Sequence, residues 1–277
     1  MLRDKPTRSD GFTSTFTNAV QGTVEPFYNR CQAEERRQFL LDVYQNKLER
    51  ISLPESINNG DPLFGTALIA AIVGGQETMA IRLLDEGADP TVSDWDRRTV
   101  AHWAAINGFV CILERLFRSR IDQVYSRDRR DRTPLSHAAE NGHEAIVDLF
   151  LKQSDSTADD YDDTGKTPLH YAAREGHVGV MRLLLDDDAT RADANDMSGF
   201  TPMTLAAAKG NKPSVELLLS YTCYKEPGYV GGGLASAGAK FLVPMQWALH
   251  NGHDGVAKLL IKAVLNQSWI SGVENHY

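Results

Sequence analysis

Residues 167–177 read Thr-Pro-Leu-His-Tyr-Ala-Ala-Arg-Glu-Gly-His (TPLHYAAREGH), and two readings of them compete. A catalytic motif built around His170 would occur once, whereas a stacking unit would recur at a fixed interval. The stretch recurs. Copies begin at Gly65 (GTALIAAIVGGQ), Arg98 (RTVAHWAAINGF), Arg132 (RTPLSHAAENGH), Lys166 (KTPLHYAAREGH) and Phe200 (FTPMTLAAAKGN), with a weaker sixth at Val243 (VPMQWALHNGH). Their leading positions, Thr66, Thr99, Thr133, Thr167, Thr201 and Val243, stand 33, 34, 34, 34 and 42 residues apart.

Each copy carries the punctuation of a helix pair. Thr-Pro opens a helix, because the hydroxyl caps free amides and proline lacks an amide that would go unpaired at the first position. Nine residues after each leading position stands a glycine, Gly75, Gly108, Gly142, Gly176, Gly210 or Gly252, able to take the left-handed conformation of a helix end. Eight residues further lies an apolar pair, from Leu83-Leu84 to Leu260-Ile261, that anchors a second helix. Alanine pairs such as Ala104-Ala105 and Ala172-Ala173 let neighbouring helices approach closely.

The pattern T-P-L-H-x-A-A-x-x-G-H, then L-L and, in the first unit, Gly87-Ala88-Asp89-Pro90, resembles the ankyrin repeat over roughly residues 61–264. The resemblance implies an all-α solenoid of about six repeats, each an antiparallel helix pair with a projecting β-turn finger, stacked so that fingers and inner helices form a concave binding face. It also implies that His102 and His170 tie one repeat to the next by hydrogen bonds, and that His143, His177 and His253 are likewise structural. No unit of such a stack folds alone.

Composition narrows the function classes. Apolar residues at 42% and charged residues at 24% are ordinary for a folded globular chain. A net charge of −8 disfavours nucleic acid, whose binding needs a basic surface. The longest apolar run, Ala67 to Val73, is far short of the roughly 20 residues of a membrane span, and no secretion signal is expected. Three widely spaced cysteines, Cys31, Cys111 and Cys223, suit neither a disulfide framework nor a zinc site. The expected compartment is therefore the cytosol, with the nucleus as the other reducing location.

At the edges, residues 1–30 lack periodicity and are expected to form a flexible arm. Residues 31–60 hold an amphipathic segment, with Phe39, Leu40, Val43, Tyr44, Leu48 and Ile51 at helical steps, that is expected to cap the stack. Residues 221–240 form a glycine-rich insertion, expected as a mobile loop; they fail the P-loop pattern because Ala239, not glycine, precedes Lys240 and Phe241 follows it. Residues 265–277 are expected as a short tail.

Candidate site residues follow from the expected concave face. The fourth position after each leading residue gives Ala70, Trp103, His137, Tyr171, Leu205 and Trp247; the next turn adds Ile106, Asn107, Glu140, Asn141, Arg174 and Glu175. His137 is the odd residue, because Ser136 holds the place of the usual tie. One finger is basic (SRDRRDR, 126–132) and another acidic (DSTADDYDD, 155–163), a contrast that steers partner choice. The expected function is binding of a protein partner through Trp95, Arg98, Trp103, Arg129, Arg130, Arg132, His137, Tyr171, Arg174 and Trp247. The alternative is a cofactor-free small-molecule enzyme, an isomerase, cyclase or dehydratase, with His137, Tyr171 and Glu140 in the concave groove under the 221–240 loop. No cofactor or metal is assigned: Asp159, Asp160, Asp162 and Asp163 miss the calcium-loop spacing, and serine-elbow, zinc-protease and kinase motifs are missing.

Overall fold

The computed structural model describes residues 66–153, 158–225 and 234–273, and every regular element among them is helical. The arm expected over 1–30, the cap expected over 31–60, residues 226–233 of the insertion and residues 274–277 of the tail lie outside them. Helices come in pairs along the chain: α1 (Ala67–Val73) with α2 (Glu77–Asp85), α3 (Val100–Asn107) with α4 (Val110–Arg118), α5 (Pro134–Asn141) with α6 (Glu144–Leu151) and α7 (Pro168–Glu175) with α8 (Val178–Asp186). The series ends with α9 (Pro202–Lys209) and α10 (Lys212–Lys225), then α11 (Leu234–His250) and α12 (Asp254–Val273).

Each first helix packs on the first helix of the next pair and each second helix on the next second helix, which is the translational order of a solenoid. The leading threonines act as expected: Thr133 and Thr201 accept the amides of Ser136 and Thr204, and Thr99 and Thr167 form capping boxes with His102 and His170. The first member of each apolar pair, Leu83, Leu116, Phe150, Leu184, Leu218 and Leu260, is buried, and so are the alanine pairs of α3, α5, α7 and α9. Removing each leucine from water contributes about 2 kcal/mol.

The glycine that ends each first helix has a left-handed backbone, from Gly75 at φ 76° to Gly176 at φ 87°. At Gly142 a second constraint is added, since a Cβ there would lie 2.7 Å from the His177 ring of the next pair. The recurring spacing of glycine and histidine therefore records one contact between repeats.

The chain beyond Lys209 departs from expectation. Helix α10 runs on through Lys225, where Tyr221 donates from its hydroxyl to the Leu185 carbonyl, and α11 is already helical at Leu234. Both ends of the 221–240 insertion are thus helix, not loop, because Leu-Ala-Ser-Ala-Gly-Ala-Lys (234–240) is rich in helix formers despite its glycine. Val243 does not open a helix, and Pro244 sits inside α11. The tail expected from 265 is likewise helical as far as Val273.

Between successive pairs the chain projects as four fingers of one design: finger one (94–98), two (128–132), three (162–166) and four (196–200). In each, the aspartate amide donates to the carbonyl four residues on, at 2.9–3.1 Å, and the fourth residue's amide returns to the aspartate carbonyl. Neighbouring fingers are joined by single backbone bonds, Arg129 to Asp96, Asp163 to Arg130 and Met197 to Thr164.

Candidate functional site: the fingers and the inner helix face

Each finger is organised by the aspartate that opens it. One oxygen of Asp128 accepts the amides of Arg130 (2.8 Å) and Arg132 (3.0 Å), and Asp94, Asp162 and Asp196 do the same for their own fingers. That leaves the second carboxylate oxygen, Oδ2, pointing toward the first helix. Nine residues after three of these aspartates stands a donor that fills the demand: Trp103 Nε1 to Asp94 Oδ2 (2.9 Å), His137 Nε2 to Asp128 Oδ2 (2.9 Å) and the Tyr171 hydroxyl to Asp162 Oδ2.

The three side chains expected to line an open groove are therefore buried ties, with 6%, 3% and 6% of their surfaces exposed. Desolvation pushes His137 down to about 4, against the stabilising pull of Asp128, so the ring is neutral at pH 7 and its Nε2 proton belongs to the finger. Burial works against the charged form of Asp128 too, yet the His137 N–H and the Arg132 and Arg130 amides outweigh it and hold the carboxyl well below the usual range. At Asp94 burial prevails and the carboxyl shifts upward. Tyr171 is pushed up, first by burial and then by its carboxylate partner.

The residue just before Thr99, Thr133 and Thr167 is a cation, and two of the three reach across the stack. Arg98 Nε lies 3.6 Å from Asp128, and Lys166 Nζ lies 3.4 Å from Asp196, each reaching the aspartate of the following finger. Arg98 also lies over the Trp103 ring at 5.2 Å and Arg132 over the Tyr171 ring at 4.2 Å. Arg132 turns instead to Glu140 at 2.5 Å, and Arg174 closes on the other Glu140 oxygen at 2.8 Å. Glu140 thus serves as a buried anchor for two arginines from adjacent repeats, while His137 bonds Asp128.

The histidines of the repeated motif bind across repeats as well. His102 accepts the Thr99 amide at Nδ1 (3.2 Å) and donates from Nε2 to the Arg132 carbonyl (3.1 Å); His170 repeats this with Thr167 and Phe200. Burial pushes His102 down to about 3 and lowers His170. His143 and His177 donate to the carbonyls of Ile106 and Glu140, and Asn211 takes the same role toward Ala173 and Arg174.

A family model for ankyrin repeats matches the chain in three overlapping copies, over residues 68–160, 101–196 and 155–229, more than half of its length. The chain belongs to the ankyrin-repeat family. Comparison of the whole chain with curated proteins finds no match. The matched span ends before α11, so the last helix pair, with its internal proline, lies beyond the ankyrin match.

Within this ankyrin framework nine of the ten expected partner-binding residues fall into two groups. Arg98, Trp103, Arg132, His137, Tyr171 and Arg174 are brought together, but as an internal network holding fingers to helices. Trp95, Arg129 and Arg130 lie outside it at the tips of fingers one and two, all exposed, with Trp95 54% open to solvent. Trp247 stands apart on α11, its ring edge-on to Phe200 at 5.2 Å. The aspartates Asp94, Asp128, Asp162 and Asp196 carry the finger architecture and escaped the sequence reading. Their signal was present, an aspartate five residues before each of four leading threonines. Among the described residues no cluster of side chains has the make-up of a metal site, and no helix is long and apolar enough to cross a membrane.

Proposed function

We propose that this ankyrin-repeat chain binds a protein partner, using the finger tips as the primary contact and the exposed rim of the inner helices as support. The observation that carries this reading is the division of the candidate residues. The side chains that catalysis would require, His137, Tyr171 and Glu140, are buried and committed to Asp128, Asp162 and two arginines, whereas the large side chains of the tips, Trp95 and Met197, are 54% and 75% exposed. Exposed aromatic and arginine side chains on a rigid scaffold are the usual anchors of protein recognition. No observation favours the alternative of a small-molecule enzyme, and the reading keeps the cytosol or nucleus as the compartment.

Photocrosslinking tests it. A photoreactive residue in place of Trp95 or Glu175, introduced in native cells, is expected to trap a discrete protein partner, while one in place of Arg118, whose side chain is 79% exposed on α4, is not. Equal trapping from Arg118, or none from position 95 or 175, overturns the reading. Charge reversal at Arg129 and Arg130 is expected to reduce the trapping. Arg132 is left intact because its guanidinium belongs to the Glu140 anchor.

A further inference from the structure

Charge is distributed unevenly along the finger row. Among the described residues most guanidiniums near the fingers are paired: Arg98 with Asp96 and Asp128, Arg127 with Asp160, Arg132 with Glu140, Arg174 with Glu140 and Glu175, and Arg191 with Asp159. Arg97, Arg129 and Arg130 are not, and all three are exposed on fingers one and two. The Arg129 amide bonds the Asp96 carbonyl at 2.8 Å, so these two tips lie side by side, and Trp95, next to Asp96 in the chain, is exposed.

The backbone of the fingers differs in the same place. The fourth residue of each finger is left-handed, and fingers three and four place glycine there, Gly165 at φ 78° and Gly199 at φ 76°. Finger two uses Asp131 at φ 56°, a residue type that enters this region with some ease, but finger one uses Arg97 at φ 61°. Arg120, after α4, shares this left-handed backbone at φ 51°, so what sets Arg97 apart is its place beside Arg129 and Arg130, where a long exposed cation is kept at a position two other fingers give to glycine.

We infer that fingers one and two receive a short acidic segment of the partner protein, its carboxylates against Arg97, Arg129 and Arg130 and an apolar residue against Trp95. The inference rests on the protein-binding reading above and names the chemistry of the partner. The segment must be short. Adjacent repeats lie about 10 Å apart and an extended chain advances about 3.3 Å per residue, so two fingers accommodate roughly four to six residues. Beyond them the row turns acidic, with Asp163 exposed and unpaired on finger three, and a continuous polyanion such as a nucleic acid meets repulsion there. A partner whose acidic block is followed by a neutral or basic one fits both halves of the row.

The test uses the full chain and two dye-labelled 12-residue peptides of identical composition, followed by anisotropy at low and high salt. One peptide joins a glutamate block containing a phenylalanine to a lysine block; the other alternates the same residues. The blocked peptide is expected to bind about tenfold more tightly, and to lose that margin in R97Q/R129Q/R130Q or at high salt. The single variant R97G sharpens the result, because relief of the strained backbone should raise Tm while peptide affinity falls. Equal binding of the two peptides, binding unaffected by the triple variant in a chain of unchanged helical content, or tighter binding of a 12-mer DNA duplex overturns the inference. If partner trapping from position 95 persists while the blocked peptide shows no preference, the acidic segment alone is wrong; if trapping also fails, protein binding through the fingers is wrong.

Discussion

Fingers two and four are built on the same aspartate, bonded to its own turn in the same way, and differ in what meets its second oxygen. In finger two the donor nine residues on is His137, at 2.9 Å from Asp128. In finger four that position is Leu205, which has nothing to donate, and the buried Asp196 Oδ2 forms no hydrogen bond, with only Lys166 at 3.4 Å to offset its charge. The contrast shows that the fourth position of the first helix is a socket of the fold before it is a surface for ligands. Tryptophan, histidine and tyrosine all satisfy it because the aspartate asks only for one N–H or O–H at that distance.

The largest expected effect comes from imposing the fourth arrangement on the second. His137→Leu strands a buried carboxylate, and a loss of about 2 kcal/mol is expected by urea denaturation at pH 7. The same variant changes the pH profile. His102 and His137 titrate at about 3 and about 4 in the folded chain, below the ordinary 6.5, so between those limits the unfolded chain takes up protons that the folded chain refuses. Stability is then full above about pH 6.5 and declines toward pH 4, by up to about 1.4 kcal/mol per pH unit for each histidine. Loss of His137 should make that decline shallower, and an unchanged slope would show that its proton is not linked to folding.

The reverse substitution is a smaller test. Leu205→Tyr copies finger three into finger four and supplies the missing donor, with an expected gain of about 1 kcal/mol in the same urea assay. A loss would mean that Lys166 already compensates Asp196 and that the larger ring disrupts its approach. Smallest is Asp131→Gly, which gives finger two the glycine found in fingers three and four. Relief of the left-handed backbone, set against the extra freedom of glycine when unfolded, leaves an expected gain of about 0.5 kcal/mol, read as a rise in Tm.

Much of this architecture was legible in the chain. Thr-Pro, the closing glycine and the apolar pair act over a few residues, and their periodic return near 34 residues announced stacked helix pairs. His102 and His170 could be assigned as ties from the family resemblance. The place of His137 is not legible in the sequence because its partner, Asp128, lies outside the motif on the finger, and because a polar side chain on a helix face is equally compatible with a solvent groove and with a buried bond. The ends of the insertion differ from expectation for another reason: its glycines suggest a loop, while packing of α11 against α9 and α12 rewards helix from Leu234 onward.

The sequence by itself determined the kind of unit, its period and the order of stacking, since these follow from capping, turn geometry and apolar spacing within each repeat. Only the tertiary structure decided which polar side chains face inward and which remain at the tips, because that choice depends on the distance between a helix and the finger that folds back over it. Burial then gave the two sets opposite roles. Side chains enclosed by neighbouring repeats must bond within the stack, and those at the tips are left with charge and surface to offer a partner.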